Sequence, residues 1–250
     1  MNPLRSVLAD NPGPFTHEGT RTHIVGRRRV AIIDPGPDLE EHVRALARAV
    51  AGAERVTLAL THGHRDHAGA VDSLLRALPD AEAVGSGHAA ARPLRDGEAV
   101  ETDAGPVLAL ATPGHTRDHL AFHWPAARAL FAGDMVLGVG DTTWVAEYPG
   151  CVADWLASLA RLEVLPLATV HPAHGPDAHD PSTLWARYRA HREGRIASVR
   201  DAMGAAPGAT LDELLERVYG DTVPAALRSA ALESLRALVE YVESRPARSP

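Results

Sequence analysis

Short apolar runs broken by polar turns fill the first two thirds of the chain, and their periods alternate between that of a strand and that of a helix. "RTHIV" and "RRRVAII" flank Gly26 and read as two strands around a turn. Leu39, Val43, Leu46 and Val50 follow at helical spacing. "VTLAL" (56–60) is a short buried strand, and Val71, Leu74, Leu75 and Leu78 mark another helix. "PVLALAT" (106–112), "HLAFHW" (119–124) and "RALFAG" (128–133) read as three more strands. "VADWLASLARLE" (152–163) reads as a helix, with "LATVHP" as a strand after it. Strands and helices mix through residue 180, so the fold class is α/β or α+β.

The pattern then changes. From Ser182 onward only helical spacing is left. Leu184, Tyr188, Ile196, Val199 and Met203 form one apolar face, "GAAPGAT" (204–210) breaks it, and "TLDE" (210–213) is a capping box for the next helix. Leu227, Leu232, Leu235, Leu238, Val239 and Val242 line a last helix, and the tail "SRPARSP" is expected to fray. The chain therefore divides into a core over residues 1–180 and a helical appendage over 181–250.

Composition narrows the function classes. With 45% apolar and 23% charged residues the chain reads as an ordinary globular protein. No apolar run approaches the ~20 residues of a membrane helix, and "MNPLRSVLADNPGPF" lacks the form of a signal peptide. The cytoplasm is the expected location. The single cysteine, Cys151, excludes an internal disulfide and reads as a small packed side chain. A net charge of −7 argues against a tight nucleic-acid binder. The outlying number is 14 histidines.

Three of these stand in "LTHGHRDHAGA" (60–70), together with an aspartate: His62, His64, Asp66 and His67. Imidazole nitrogen and carboxylate oxygen are ligands for first-row metals, with zinc the default. His62 and His64 point the same way in an extended segment. Asp66 and His67 lie where the chain turns into a helix, so one turn can feed two metals. Further ligand types follow three other short strands, each beside glycine or proline: His115 in "ATPGHT", Asp134 in "LFAGDM" and His174 in "HPAHGP". Strand ends of this kind converge on a site in open α/β sheets.

"HGHRDH" followed by His115, Asp134 and His174 in that order resembles the metallo-β-lactamase superfamily. "NPGPFTHEGT", "DPGPD", "TPGHTRDH", "GDMVLGVGDTT" and "HREGRI" resemble the branch that includes β-lactamase-like protein 2, over nearly the whole length. The resemblance implies a four-layer αββα sandwich with a winged-helix-like appendage. It assigns His62, His64 and His115 to one divalent ion and Asp66, His67 and His174 to a second, with Asp134 bridging both. Zinc is the expected metal, with manganese or iron also compatible. The branch's usual asparagine and aromatic residue after "GT" are Arg21 and His23 here, and its "PGHG" is "PAHG".

Such a pair lowers the pKa of a bound water towards about 7. Asp66 is expected to orient the resulting hydroxide as the catalytic residue. His119 is a candidate for standing behind the metal ligands or for substrate contact, Arg192 and Arg195 for substrate contact or a solvated helix face, Asp118 for orienting a metal histidine, and Trp144 for covering the site or joining the core. The expected reaction is hydrolysis of a thioester, ester or lactone, in a small molecule or on a carrier-bound acyl group. The alternative is an endoribonuclease on single-stranded RNA, disfavoured by the negative charge and the 4% of aromatic residues. A redox protein of the same fold would need a flavin domain, for which there is no room, and a secreted β-lactamase would need an export signal. No membrane partner is expected, and oligomeric state stays open.

Overall fold

Parity sorts the apolar residues of each central strand between two cores. In β3 (Arg29–Ile33) Val30 and Ile32 face one cluster while Ala31 and Ile33 face another. The same alternation divides Leu58 from Ala59 in β4 (Arg55–Leu60). In β9 (Leu120–Trp124) and β10 (Ala129–Gly133), Phe122 and Phe131 point into the shared middle cluster, whereas Ala121 and Leu130 point outward. A strand apolar on both faces must be covered on both. The computed structural model, which describes residues 3–220, 223–224 and 227–245, meets that demand with four layers.

The first sheet has six strands in sequence order: β1 (Leu4–Leu8), β2 (Arg21–Val25), β3, β4, β5 (Glu82–Gly85) and β6 (Arg92–Pro93). Strands β1 to β3 pair antiparallel and β3 to β6 parallel. The second sheet has five, in the order β11 (Thr169–Pro172), β10, β9, β8 (Val107–Ala111), β7 (Ala99–Val100). All its pairs are antiparallel except β10 with β11. Helices α1 (Glu40–Ala49) and α3 (Val71–Ala77) cover the outer face of the first sheet through Leu46, Val50, Val71 and Leu74. Helix α4 (Cys151–Glu163) covers the second through Trp155, Leu159 and Leu162. This is the αββα sandwich that the resemblance implied. Cys151 is fully buried in that outer cluster, as expected of a packed thiol.

The appendage comprises α5 (Pro181–Ala205), α6 (Leu211–Tyr219) and α7 (Arg228–Glu243). No strand lies among its described residues, so the wing of a winged helix is not seen there. Asp180 caps α5 by accepting from the Thr183 amide, and Thr210 and Glu213 form the expected capping box on α6. Leu184, Tyr188, Ile196 and Val199 are buried in one cluster with Trp155 and the outer face of the second sheet. The appendage thus shares a core with the sandwich. Residues 246–250 of the tail lie outside the described residues. Leu39, expected on the apolar face of α1, stands at its N-cap and is 37% exposed. Among the described residues no helix is long and apolar enough to cross a membrane.

Two backbone hydrogen bonds stitch the sheets together at one end. The Leu120 amide donates to Thr61 O at 2.8 Å, and the Arg21 amide to Ala173 O at 2.8 Å. Because β3 and β4 run parallel, and β8, β10 and β11 share a direction, the C-terminal ends of all five strands lie at this stitched end. Every ligand-type residue noted in the sequence follows one of those ends.

Candidate metal centre

Leu60 ends β4, and Thr61 to His64 cross the stitched edge before α2 (Arg65–Ala68) begins. The crossing is tight. A Cβ on Gly63 would stand 2.4 Å from Gly87 O, and one on Gly87 2.2 Å from Gly63 N, so only two glycines let these backbones meet. His62 and His64 lie on the extended stretch, and Asp66 and His67 on the helical turn. His115, Asp134 and His174 follow β8, β10 and β11.

Their ligand atoms converge in three overlapping sets: His62, His64 and His115; His62, His67 and Asp134; and Asp66, His67 and His174. His64 Nδ1 lies 3.0 Å from both His62 Nε2 and His115 Nε2. Asp66 Oδ2 lies 3.5 Å from His67 Nε2 and 3.3 Å from His174 Nε2. The Asp134 carboxylate reaches both ends of the constellation. Its Oδ2 is 3.6 Å from His115 Nε2, and its Oδ1 is 3.5 Å from both His67 Nε2 and His174 Nε2.

Hydrogen bonds behind the rings settle which nitrogen holds the lone pair. Asp34 follows β3 in the left-handed region (φ 50°), and its carboxylate is the hub. Oδ2 accepts from His67 Nδ1–H at 2.9 Å and from the Thr61 hydroxyl at 2.8 Å, while Oδ1 accepts from the Thr61 amide at 2.8 Å. The single Thr61 hydroxyl proton is thereby used, so Thr61 Oγ1 must accept from His62 Nδ1–H at 2.9 Å. His115 Nδ1–H donates to Trp144 O at 2.8 Å, and His174 Nδ1–H to Gly19 O at 3.3 Å. Four Nε2 lone pairs are left aimed into one space, each backed by a carboxylate, hydroxyl or carbonyl that fixes its ring.

That space suits a cation. His67 Nε2 and Asp134 Oδ1 are buried without a hydrogen-bond partner. Orphaned polar atoms of this kind are costly unless something charged completes them. Burial holds His62 and His115 below the usual imidazole range. In His67 and His174 burial pulls the same way, but Asp134, joined by Asp34 and Asp66 respectively, outweighs it and raises both. Burial would raise Asp134, yet His67 and His174 hold it well below the carboxylate range. Burial likewise opposes ionisation of Asp66, which the His174 contact nevertheless keeps below its ordinary value.

His119 takes the place behind the ligands, and the two arginine candidates are engaged within the fold. His119 is 1% exposed, and both its ring nitrogens are used. Nε2 accepts from the Asp134 amide at 3.2 Å, so Nδ1–H donates to Thr112 Oγ1 at 2.8 Å. It stands behind Asp134, with no nitrogen left for a substrate. Arg192 is buried beneath the loop after β10, with Nη2 on Thr143 O at 3.1 Å. Arg195 donates to Val218 O at 3.2 Å and lies over the Tyr219 ring. Arg192 ties the appendage to that loop and Arg195 ties α5 to α6, because an apolar face and a neighbouring carbonyl take up the stem and the cation together. Asp118 accepts from Ser86 and Thr116 hydroxyls and orients no ligand histidine. That role falls to Asp34, the first residue of "DPGPD", to which the sequence alone assigns no role. Trp144 is half-buried, its ring centroid 6.4 Å from that of His64, while Glu147 Oε1 lies 3.7 Å from His64 Nε2 on the open side.

A sandwich of two mixed sheets whose strand ends hold five histidines and two aspartates defines the class of metal-dependent hydrolases built on an αββα core. The sequence profile described as "Metallo-beta-lactamase superfamily" matches residues 22–174, and the chain belongs to that superfamily. A beta-lactamase-like protein 2 homolog of Caenorhabditis elegans is 29% identical over 247 residues, covering 94% of this chain and 82% of the relative. An atrochrysone carboxyl ACP thioesterase of Aspergillus novofumigatus is 32% identical over 243 residues, covering 91% of this chain and 74% of the relative. A metallo-beta-lactamase family protein from Thermus thermophilus shares the fold with a TM-score of 0.79 at 21% identity, over 97% of this chain and 93% of that one.

Proposed function

We propose that the protein is a dinuclear metal hydrolase acting on a thioester, ester or lactone, with a carrier-bound acyl group as the leading substrate class. The observation that carries the reading is the Asp134 carboxylate, whose two oxygens face different members of one ligand constellation. His62, His64 and His115 would hold one ion, Asp66, His67 and His174 the other, and Asp134 both. Ions bound there would supply Lewis-acid activation of water and of the scissile carbonyl. Zinc suits the nitrogen-rich set, and manganese or iron is compatible with it.

The chain's own groups divide the remaining work. Asp66 keeps its carboxylate ionised and 29% exposed, so it can orient a water and take its proton at the open side of the centre. Asp34, Thr61 and the carbonyls of Gly19 and Trp144 hold the imidazoles in the tautomer that presents Nε2. The half-buried Trp144 ring stands beside His64 as one wall of the centre.

For the substrate class, support comes from relatives named as thioesterases of acyl carrier protein at about one-third identity, aligned over nine tenths of the chain. The test is one purified preparation, metal-analysed, assayed on acyl-carrier and small thioesters, lactones and single-stranded RNA. Two equivalents of metal and turnover of thioesters are expected. RNA cleavage without thioester turnover overturns the substrate reading, and a single equivalent at saturation overturns the dinuclear one.

A further inference from the structure

The loop between β10 and α4 lies against the ligand constellation on one side and the appendage on the other. On the site side, Thr143 Oγ1 donates to Asp134 O at 2.9 Å, and the next residue's carbonyl, Trp144 O, accepts from His115 Nδ1–H at 2.8 Å. On the appendage side, Arg192 Nη2 donates to Thr143 O at 3.1 Å. One turn earlier on α5, Tyr188 Oη accepts from the Leu137 amide at 2.8 Å and donates to Leu137 O at 3.1 Å. Helix α5 thus grips both ends of the loop segment 137–143.

We propose that Arg192 is a positioning residue for the metal centre: its guanidinium fixes the Thr143–Trp144 segment, and that segment, through the Thr143 hydroxyl and the Trp144 carbonyl, fixes Asp134 and the ring of His115. The inference rests on the dinuclear reading above.

The arginine is an odd choice for packing alone. It is 5% exposed, its guanidinium lies 5.0 Å over the Trp155 ring, and no carboxylate is among the groups acting on it. Burial pushes it down to about 10. A buried cation without an anion is expensive, and a methionine would fill the same space more cheaply. What methionine lacks is a charge-assisted donor to a carbonyl, which is stronger and more directional than a neutral one. The peptide it anchors, Thr143–Trp144, directly precedes the one from which the His115 contact departs. Small rotations of that peptide carry Trp144 O away from His115 Nδ1 and free the ring to turn.

The test uses wild-type protein, Arg192→Met, Arg192→Lys and Thr143→Val, each stripped of metal and checked by circular dichroism. Affinities for two equivalents of Zn2+ are read by competition with a chromophoric chelator, and ligand geometry by the visible absorption of the Co2+ form. Loss of a residue that orients a metal ligand typically costs about 10–100-fold in affinity. Arg192→Met is expected to bind one equivalent at least about tenfold more weakly, with altered Co2+ absorption, and Arg192→Lys to recover part of both. Wild-type affinities and absorption in Arg192→Met overturn the proposal, as do equal losses in the Met and Lys variants, which would mean that shape and not the donor matters. Where Arg192→Met does not fold, Thr143→Val decides. It leaves the arginine's packing in place and removes the hydroxyl from Asp134 O, so wild-type affinity there overturns the proposal. Wild-type protein that takes up only one equivalent overturns the dinuclear reading itself, whereas two equivalents in both wild type and Arg192→Met, equally tight, overturn the inference alone.

Discussion

Asp34 Oδ2 accepts a hydrogen bond from His67 Nδ1–H at 2.9 Å, behind a ring whose other nitrogen faces the candidate metal centre without a partner. The same carboxylate takes the amide and the hydroxyl of Thr61, and through Thr61 it sets the tautomer of His62. One buried aspartate therefore orients two histidines that follow a neighbouring strand.

Asp34→Ala removes that hub. Three buried donors lose their acceptor, at about 1–3 kcal/mol each, and two histidines lose their orientation. Metal affinity should fall about 10–100-fold, read by chelator competition, with a lower unfolding midpoint of the metal-free protein. Unchanged affinity would show that the rings are held by packing alone.

Asp66→Ala is expected to act on turnover far more than on stability. Its side chain is 29% exposed and lies beyond the apolar clusters. Loss of a positioned proton acceptor lowers kcat by about 10²–10⁴-fold. The measurement is kcat on the best thioester from the substrate panel, alongside circular dichroism and metal stoichiometry. Near wild-type kcat removes Asp66 from the chemistry.

His23 gives the protein an acid limit away from the metal centre. It is buried against Phe131 and His171, with Nε2 3.4 Å from Pro172 O. Burial first, and then His171, lower it from 6.5 to about 3. The unfolded chain takes up this proton near pH 6.5 and the folded chain only near pH 3. Its contribution is therefore whole above pH 6.5 and is lost as pH falls towards 3, with a slope of up to about 1.4 kcal/mol per pH unit. Urea midpoints of metal-free protein between pH 7 and pH 4 should drop less steeply in His23→Phe than in wild type. Equal slopes would assign the acid sensitivity elsewhere.

Gly133 closes β10 with φ 50°, and a Cβ there would stand 2.7 Å from His119 Nε2 and 2.8 Å from Thr61 Oγ1. Gly133→Ala combines left-handed strain with a collision against two hydrogen-bonded side chains. A loss of about 2–4 kcal/mol is expected, which in a chain of this size lowers the melting midpoint by roughly 5–15 °C. Calorimetry of the metal-free protein checks it.

The ligand-type residues were legible because four of them crowd one turn and the other three repeat a single context, a short apolar strand followed by glycine or proline. Sandwich strands such as "VTLAL" and "RALFAG" were legible because both faces are apolar. Strands β6 and β7 were not, since two residues each cannot display a period. Asp34 hides for a different reason: a lone aspartate before "PG" has the form of any turn former. Arg192 and Arg195 misled because charge on a helix reads as solvent-facing, and nothing local in sequence says that Trp155, Thr143 and Tyr219 will fold over them. His119 is legible only as either a group behind the ligands or a substrate contact, because its partners, a hydroxyl and an amide, lie at two other strands' ends.

The two backbone bonds that join the sheets, Leu120 to Thr61 and Arg21 to Ala173, have a bearing on how long the molecule survives. The ligand atoms come from both sides of that seam, so the full constellation exists only in the closed native state. Ions taken up there would weight the folded population by mass action, by about 2.7 kcal/mol when free metal is a hundredfold above its dissociation constant. Persistence of the fold would then depend on metal supply: a starved molecule would unfold more often, and whatever degrades open chains would remove the inactive copies first.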